Sequence, residues 1–278
     1  MEGQKAARGT ALVTGASRGI GGAISQALAA SGWDVVAVCR DPDKVPPGQR
    51  ANGVRYIGLD LSNEQGIDAL VKAVKSVDVL VNNIGASPIG PAEEVPMEKV
   101  RALFELNFFG AVRLTQRYLP GMRERGRGTL IFIGSMRSEA PTPFSSFYSA
   151  TKAALRSFAE CLRMEVQEAG IAVSLIAPFY IRTTLPQEFQ LADGSPYTAA
   201  VRRVKASRDR MIAAAAEPAA VAKTVLRILS ARRPRAFYTA GRAAGLQAFL
   251  ARHLPRPMVA ATTARRFRLH GPKQERKP

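Results

Sequence analysis

No uninterrupted run of about eighteen apolar residues occurs in the 278-residue chain, so a membrane-spanning helix is not expected. No apolar stretch follows the short basic start either, which argues against a secretion signal. Cysteine is scarce. Cys39 and Cys161 lack the spacing of a disulfide framework or a metal site, and both are expected to be buried thiols in a reducing compartment. Internal repeats and low-complexity linkers are also missing. The expectation is therefore one domain over 1–278, comprising a core, a substrate lid region at 179–216 and a basic extension at 241–278. Acidic residues are few, 22 against 40 Lys and Arg, and the +18 excess is local. Residues 231–278 carry twelve basic residues and one Glu. Such a tail suits nucleic acid, an anionic membrane surface or an acidic partner, or is a solvated terminus. No nucleic-acid-binding module accompanies it, so no nucleic-acid partner is expected.

What is present is an alternation of β-rich runs and helical patterns. Strands are predicted at 10–14, 34–39, 54–59, 78–81, 129–134, 171–176 and 235–239, and helices at 19–30, 63–75, 97–125, 147–168 and 218–231. Pro120 is expected to bend or stop the third helix. This order predicts an α/β fold: one doubly wound parallel sheet of about seven strands with helices on both faces. Ligands of such sheets bind at the C-terminal strand ends.

The first strand leads into Gly15-Ala16-Ser17-Arg18-Gly19-Ile20-Gly21, which opens a helix. Gly15 permits a tight turn, and Gly19 and Gly21 permit close backbone approach. The helix N-terminus offers free amides to a pyrophosphate. At the end of the second strand an acid would grip the ribose of NAD, whereas a cation would accept the extra phosphate of NADP. The chain reads Val38-Cys39-Arg40 there, and Arg18 supplies a second guanidinium, so NADP(H) is preferred over NAD(H). Asp41, next to Arg40, is a carboxylate that a small shift of the turn would bring to the ribose.

Tyr148 and Lys152 stand four residues apart, thirteen and more residues after Ser135. On a helix they share a face, so the ammonium can lie beneath the phenol and favour phenolate. Each residue has a plainer reading alone: Ser135 as a strand-end cap, Asn107 as a local hydrogen bonder on its helix, Tyr-x-x-x-Lys as a solvated helix face.

With the glycine turn, the sheet pattern and these residues together, 10–184 resembles the short-chain dehydrogenase/reductase family. The resemblance implies a catalytic set of Asn107, Ser135, Tyr148 and Lys152. In it, Tyr148 exchanges a proton with the substrate oxygen, Ser135 hydrogen-bonds that oxygen, Lys152 also holds the nicotinamide ribose, and Asn107 anchors a water beside Lys152. It implies cofactor contacts at Gly15, Ser17, Arg18, Gly19, Ile20, Gly21, Arg40, Asp60, Leu61, Asn83 and Gly85. Further along, Tyr148, Lys152, Pro178, Ile181 and Thr183 complete them. Asn82-Asn83-Ile84-Gly85 is similar to the family segment ending the fourth strand. Phe179 replaces a usual glycine, and a phenylalanine resists a left-handed backbone, so a local difference that sends an aromatic ring toward the substrate is expected.

Met136, Phe144, Phe179 and Tyr180 are the expected substrate contacts. The flanking loops, which include Leu185, Phe189 and Leu191, read as apolar and suit a hydrophobic ketone or alcohol. Leu246, Phe249, Leu250 and Leu254 form an apolar stripe at helical spacing in the basic extension, similar to extensions of lipid-acting relatives. It is read as a packing face or a peripheral membrane contact of a cytoplasmic protein. The family resemblance implies a homodimer or homotetramer. The resulting expectation is an NADP(H)-dependent oxidoreductase on a steroid-, retinoid-, fatty-acyl- or polyketide-like carbonyl, with no metal. The alternative is a non-catalytic NADPH-sensing or interaction protein of the same fold.

Overall fold

In the computed structural model, which describes residues 8–183 and 191–269, strand β1 (Thr10–Thr14) sends Leu12 into one hydrophobic layer and Ala11 and Val13 into the other. That period-two split is what a strand buried on both faces requires. Strands β2 (Asp34–Cys39), β3 (Val54–Gly58), β4 (Val79–Asn82), β5 (Gly128–Ile133), β6 (Ile171–Pro178) and β7 (Phe237–Ala240) join it in one parallel sheet. The order is β3-β2-β1-β4-β5-β6-β7, with Leu12 opposite Leu80 across the centre.

Helices α1 (Gly19–Ala30) and α7 (Ala219–Ser230) cover one face, where Ile24 and Leu28 meet Val221 and Val225. On the other face, α2 (Glu64–Ala73), α4 (Gly110–Glu124) and α5 (Ser146–Val166) bury Leu70, Leu114 and Leu162. Each such leucine contributes about 1.5–3 kcal/mol by leaving water. Asn63 lies just outside α2 as its cap, accepting the Gly66 N–H at 3.2 Å. The chain reverses its direction of sheet growth between β1 and β4, so a crevice opens at their C-terminal ends.

Several sequence expectations change. The helix predicted over 97–125 is α3 (Met97–Phe104), one turn of π-helix over Glu105–Phe109, and then α4. Pro120 does not stop α4. Burial of Tyr118 and Met122 carries the last turn past the missing amide. Helix α6 (Thr198–Ala213) occupies part of the expected lid, burying Val201, Val204, Ser207 and Arg208 at helical spacing. Cys39 is buried as expected, but Cys161 is exposed on α5.

The extension folds as α8 (Ala244–His253) and α9 (Arg256–Arg266). Its expected apolar stripe is divided. Ala244, Ala248 and Ala251 face inward, whereas Leu246 and Phe249 are 58% and 57% exposed. Small alanines let α8 approach the sheet closely, and Ala248 joins the same core layer as Ala177.

Candidate active site

The glycine turn is pinned to the end of β4. Asn83 Nδ2 donates to Thr14 O at 2.8 Å and Gly15 O at 3.2 Å, and Thr14 Oγ1 accepts the Asn83 and Ile84 amides at 2.9 and 3.1 Å. Gly15 and Gly19 have φ of +66° and +58°, which side chains rarely tolerate, and a Cβ on Gly21 would collide with Gly15 O. No side chain caps α1, and its first turn holds no acid. The open amides and this close-approach cradle therefore fit a dinucleotide pyrophosphate. Arg18 and Arg40 line the same cavity beside Cys39. Asp41 is engaged elsewhere, 2.8 Å from Lys44 Nζ.

At the other end of the cavity, α5 begins just after a loop from β5 and carries Tyr148 and Lys152 on one face. Lys152 is 4% exposed; its Nζ donates to Ile133 O at 2.9 Å and lies 6.0 Å from the centre of the Tyr148 ring. Burial pulls the ammonium below the usual lysine range, and the negative charge available to Tyr148 opposes this. Ser135 accepts the Arg137 N–H at 3.2 Å, which leaves its own hydroxyl proton free to donate. Ser135, Tyr148 and Lys152 all line the cavity, whose volume is about 430 Å³.

Asn107 lies behind this surface, in the π-turn. Its Oδ1 accepts the Ala86 N–H at 2.8 Å, while Nδ2 donates to Ala86 O at 2.9 Å and to Thr151 Oγ1 at 3.1 Å. The side-chain amide is therefore committed to holding the β4 loop against α5. A Cβ on Gly85 would lie 3.3 Å from Asn107 Oδ1, a tight contact, and 3.5 Å from Lys152 Nζ, an ordinary one.

Most of the expected residues meet at one cavity: Ser17, Ile20, Pro178, Ile181 and Thr183 toward the cofactor end, and Met136, Phe179 and Tyr180 toward Tyr148. Four do not line it. Besides Asn107, Asp60 accepts from Ser62 N and Oγ at 2.9 and 2.8 Å, and the Leu61 side chain is wholly in the core. Phe144 lines a separate smaller cavity, with its ring edge-on to Tyr197. Leu185 and Phe189 fall outside the described residues. The strain expected at Phe179 sits one residue later, on Tyr180 with φ of +40°. That shift leaves the Phe179 N–H on Ala240 O at 2.8 Å and sets the two rings edge to face.

The apolar reading of the 136–147 loop is also corrected. Arg137 lies with its guanidinium 5.2 Å from the centre of the Tyr148 ring and donates to Ser87 Oγ at 3.0 Å. Arg208 and Arg266 join the cavity wall from α6 and α9. Arg137 was visible two residues after Ser135; nothing in the basic run of α6 singles out Arg208.

A family model for short chain dehydrogenase matches residues 9–193. A curated relative, dehydrogenase/reductase SDR family member 7B of Danio rerio, is 32% identical over 231 residues, covering 78% of this chain and 72% of the relative. Its Mus musculus counterpart is 35% identical over 68% of this chain, which spans only 62% of that protein's length. A solved short-chain dehydrogenase from Streptomyces avermitilis superposes with a TM-score of 0.78 at 30% identity, covering 92% of this chain and 97% of that one. A metagenomic short-chain oxidoreductase in complex with NADP gives 0.67 at 26% identity, covering 84% and 97%. The chain belongs to the short-chain dehydrogenase/reductase family. Members are nicotinamide-dependent dehydrogenases and reductases that act on CH–OH groups.

Proposed function

We propose that this chain is an NADP(H)-dependent reductase that interconverts a ketone or aldehyde and an alcohol on a largely hydrophobic small molecule. The observation that carries the reading is the buried Lys152 ammonium beneath Tyr148 on one face of α5, opening with Ser135 into the cavity that begins at the glycine turn. The cofactor supplies hydride when bound. Tyr148 gives its proton to the carbonyl oxygen, Ser135 donates a hydrogen bond that strengthens as charge develops there, and Lys152 sets a cationic amine beside the phenol. Asn107 fixes the β4 loop against α5 and so keeps Lys152 in place. Asp60 and Leu61 remain adenine-side contacts in this reading, Leu61 through its backbone.

Arg18 and Arg40, with Cys39 where an acid would stand, support NADP(H) over NAD(H). Leu250, Leu254, Val259 and Phe267 support an apolar substrate body. Exposed Leu246, Phe249 and Met258 on the basic extension support peripheral contact with an anionic membrane, and exposed Phe109 and Met164 support pairing of copies. NADPH oxidation followed with ketones graded by size tests the central reading. Turnover that prefers NADPH and falls about 10²–10⁴-fold in Tyr148→Phe is expected. A protein that binds NADPH but reduces no member of the panel would instead be the non-catalytic alternative.

A further inference from the structure

Arg208 is 3% exposed, lines the cavity, and has no hydrogen-bond partner for Nε or Nη1 among the described residues. Burying a guanidinium unpaired is costly; folds that do so give it a carboxylate or a ligand. Here the neighbours make matters worse. Burial first, and then the charge of Arg137, pull its pKa down to about 9, with weaker relief from Tyr180, Tyr148 and Asp209. The Tyr180 phenol is itself pushed up by burial while Arg137 and Arg208 pull it back. No Asp or Glu is among the described residues that line the cavity. Arg137 and Arg208, with Arg266 also acting on Tyr180, thus converge near a strained tyrosine beside Tyr148, with no carboxylate among the described residues of the lining.

The position of these charges separates them from the cofactor's phosphates. Arg18 and Arg40 belong to the glycine turn after β1, whereas Arg137 and Arg208 come from the loop after β5 and from α6 and face Tyr148 and Tyr180. Behind them the extension lines the wall with Leu250, Ala251, Leu254, Val259 and Phe267, interrupted by Gln247, Thr262, Thr263 and Arg266. A planar fork suits a carboxylate bidentately, and the apolar wall suits a carbon chain.

We infer that the substrate is an oxo- or hydroxy-carboxylic acid, its carboxylate held by Arg208 and Arg137 beside Tyr148 and its apolar body lying against α8 and α9. This inference rests on the reductase reading for the reacting carbonyl, but not for the anion subsite. The carboxylate takes no part in bond making. Its charge completes Arg208 and orients the carbonyl.

The test has two arms. In calorimetry on the NADPH-loaded protein, octanoate should bind and octanamide should not, and Arg208→Met and Arg208→Gln should weaken octanoate about 10²-fold, as loss of a buried charged hydrogen-bonded partner does. Inorganic phosphate should compete poorly. In the kinetic arm, the ratio of kcat/KM for an oxo-acid to that for its methyl ester should favour the acid and fall by a similar factor in both variants. Without added ligand, the melting temperature of Arg208→Met should match or exceed that of the native protein. Equal binding of octanoate and octanamide overturns the subsite, as does a melting temperature lowered equally by Arg208→Met and Arg208→Gln, which would show that the guanidinium is satisfied within the chain. NADPH-dependent reduction of esters with no preference for acids would remove the subsite and leave the reductase standing. Arg208-dependent octanoate binding with no reduction of either substrate would do the reverse.

Discussion

Arg252 grips Glu139 with two prongs, Nη2 at 3.1 Å from Oε1 and Nε at 3.2 Å from Oε2, and so ties the C-terminal extension to the loop that carries Ser135. Glu139 is 2% exposed, four residues past Ser135, and Arg156 also reaches it. Arg256 Nη1 donates to its backbone carbonyl at 2.9 Å, and the Arg252 guanidinium lies 4.0 Å from the centre of the Phe237 ring. The basic character of the extension is in part structural. Glu139→Gln should destabilise the protein by about 1.5–3 kcal/mol, because it leaves partly exposed guanidiniums clustered around a neutral amide. Urea unfolding at neutral pH measures this. A loss within experimental error would mean that the ion pair does not hold α8 in solution.

Tyr148→Phe removes the proposed proton donor while keeping the ring that Arg137 covers. The expected loss in kcat is about 10²–10⁴-fold, the range for a positioned general acid. The dissociation constant for NADPH, followed by its fluorescence, should hardly move. Retained turnover would place the proton elsewhere.

Arg40→Ala tests cofactor choice at a residue that lines the cavity without building the sheet. A hydrogen bond to a charged phosphate is worth about 1.5–3 kcal/mol, so the preference for NADPH over NADH should fall by roughly ten- to a hundred-fold. The check is the ratio of kcat/KM values for the two cofactors. An unchanged ratio would exclude Arg40 from the phosphate site.

Lys152 gives a pH signature. Burial lowers its folded pKa below the unfolded value, so the unfolded chain binds more protons between the two. The sign follows: this group's penalty on stability is full at low pH and is relieved as pH rises through that window. Lys152→Met removes the penalty together with the bond to Ile133 O. The stability of the variant minus that of the native protein should therefore fall as pH rises from the lowered folded pKa toward the ordinary lysine range, in denaturant melts of both. A constant difference would show that Lys152 is solvated in solution.

The strands and the helices over 19–30 and 147–168 were legible because period-two and period-3.6 patterns are local. β1, β2 and α1 have the boundaries read from sequence, and the Tyr148–Lys152 pair needs nothing beyond one helix turn to share a face. Helix α6 was not legible: its buried face includes Ser207 and Arg208, so the apolar stripe is too thin to see. The two fates of the cysteines, and the exposure of Leu246 and Phe249, depend on which helix face packs, which composition does not state.

The sequence by itself determined the alternation of strands and helices, the glycine turn and the order of Ser135, Tyr148 and Lys152, because each follows from backbone sterics or helix periodicity over a few residues. Only the tertiary structure decided that Asn107 spends its amide on Ala86 and Thr151, that Glu139 gathers arginines from α5, α8 and α9, and that Arg208 lies buried beside Tyr148 with Nε and Nη1 unpartnered among the described residues. Those relations join residues far apart in the chain. Their energies come from burial and charge, which exist only once the layers have closed around them.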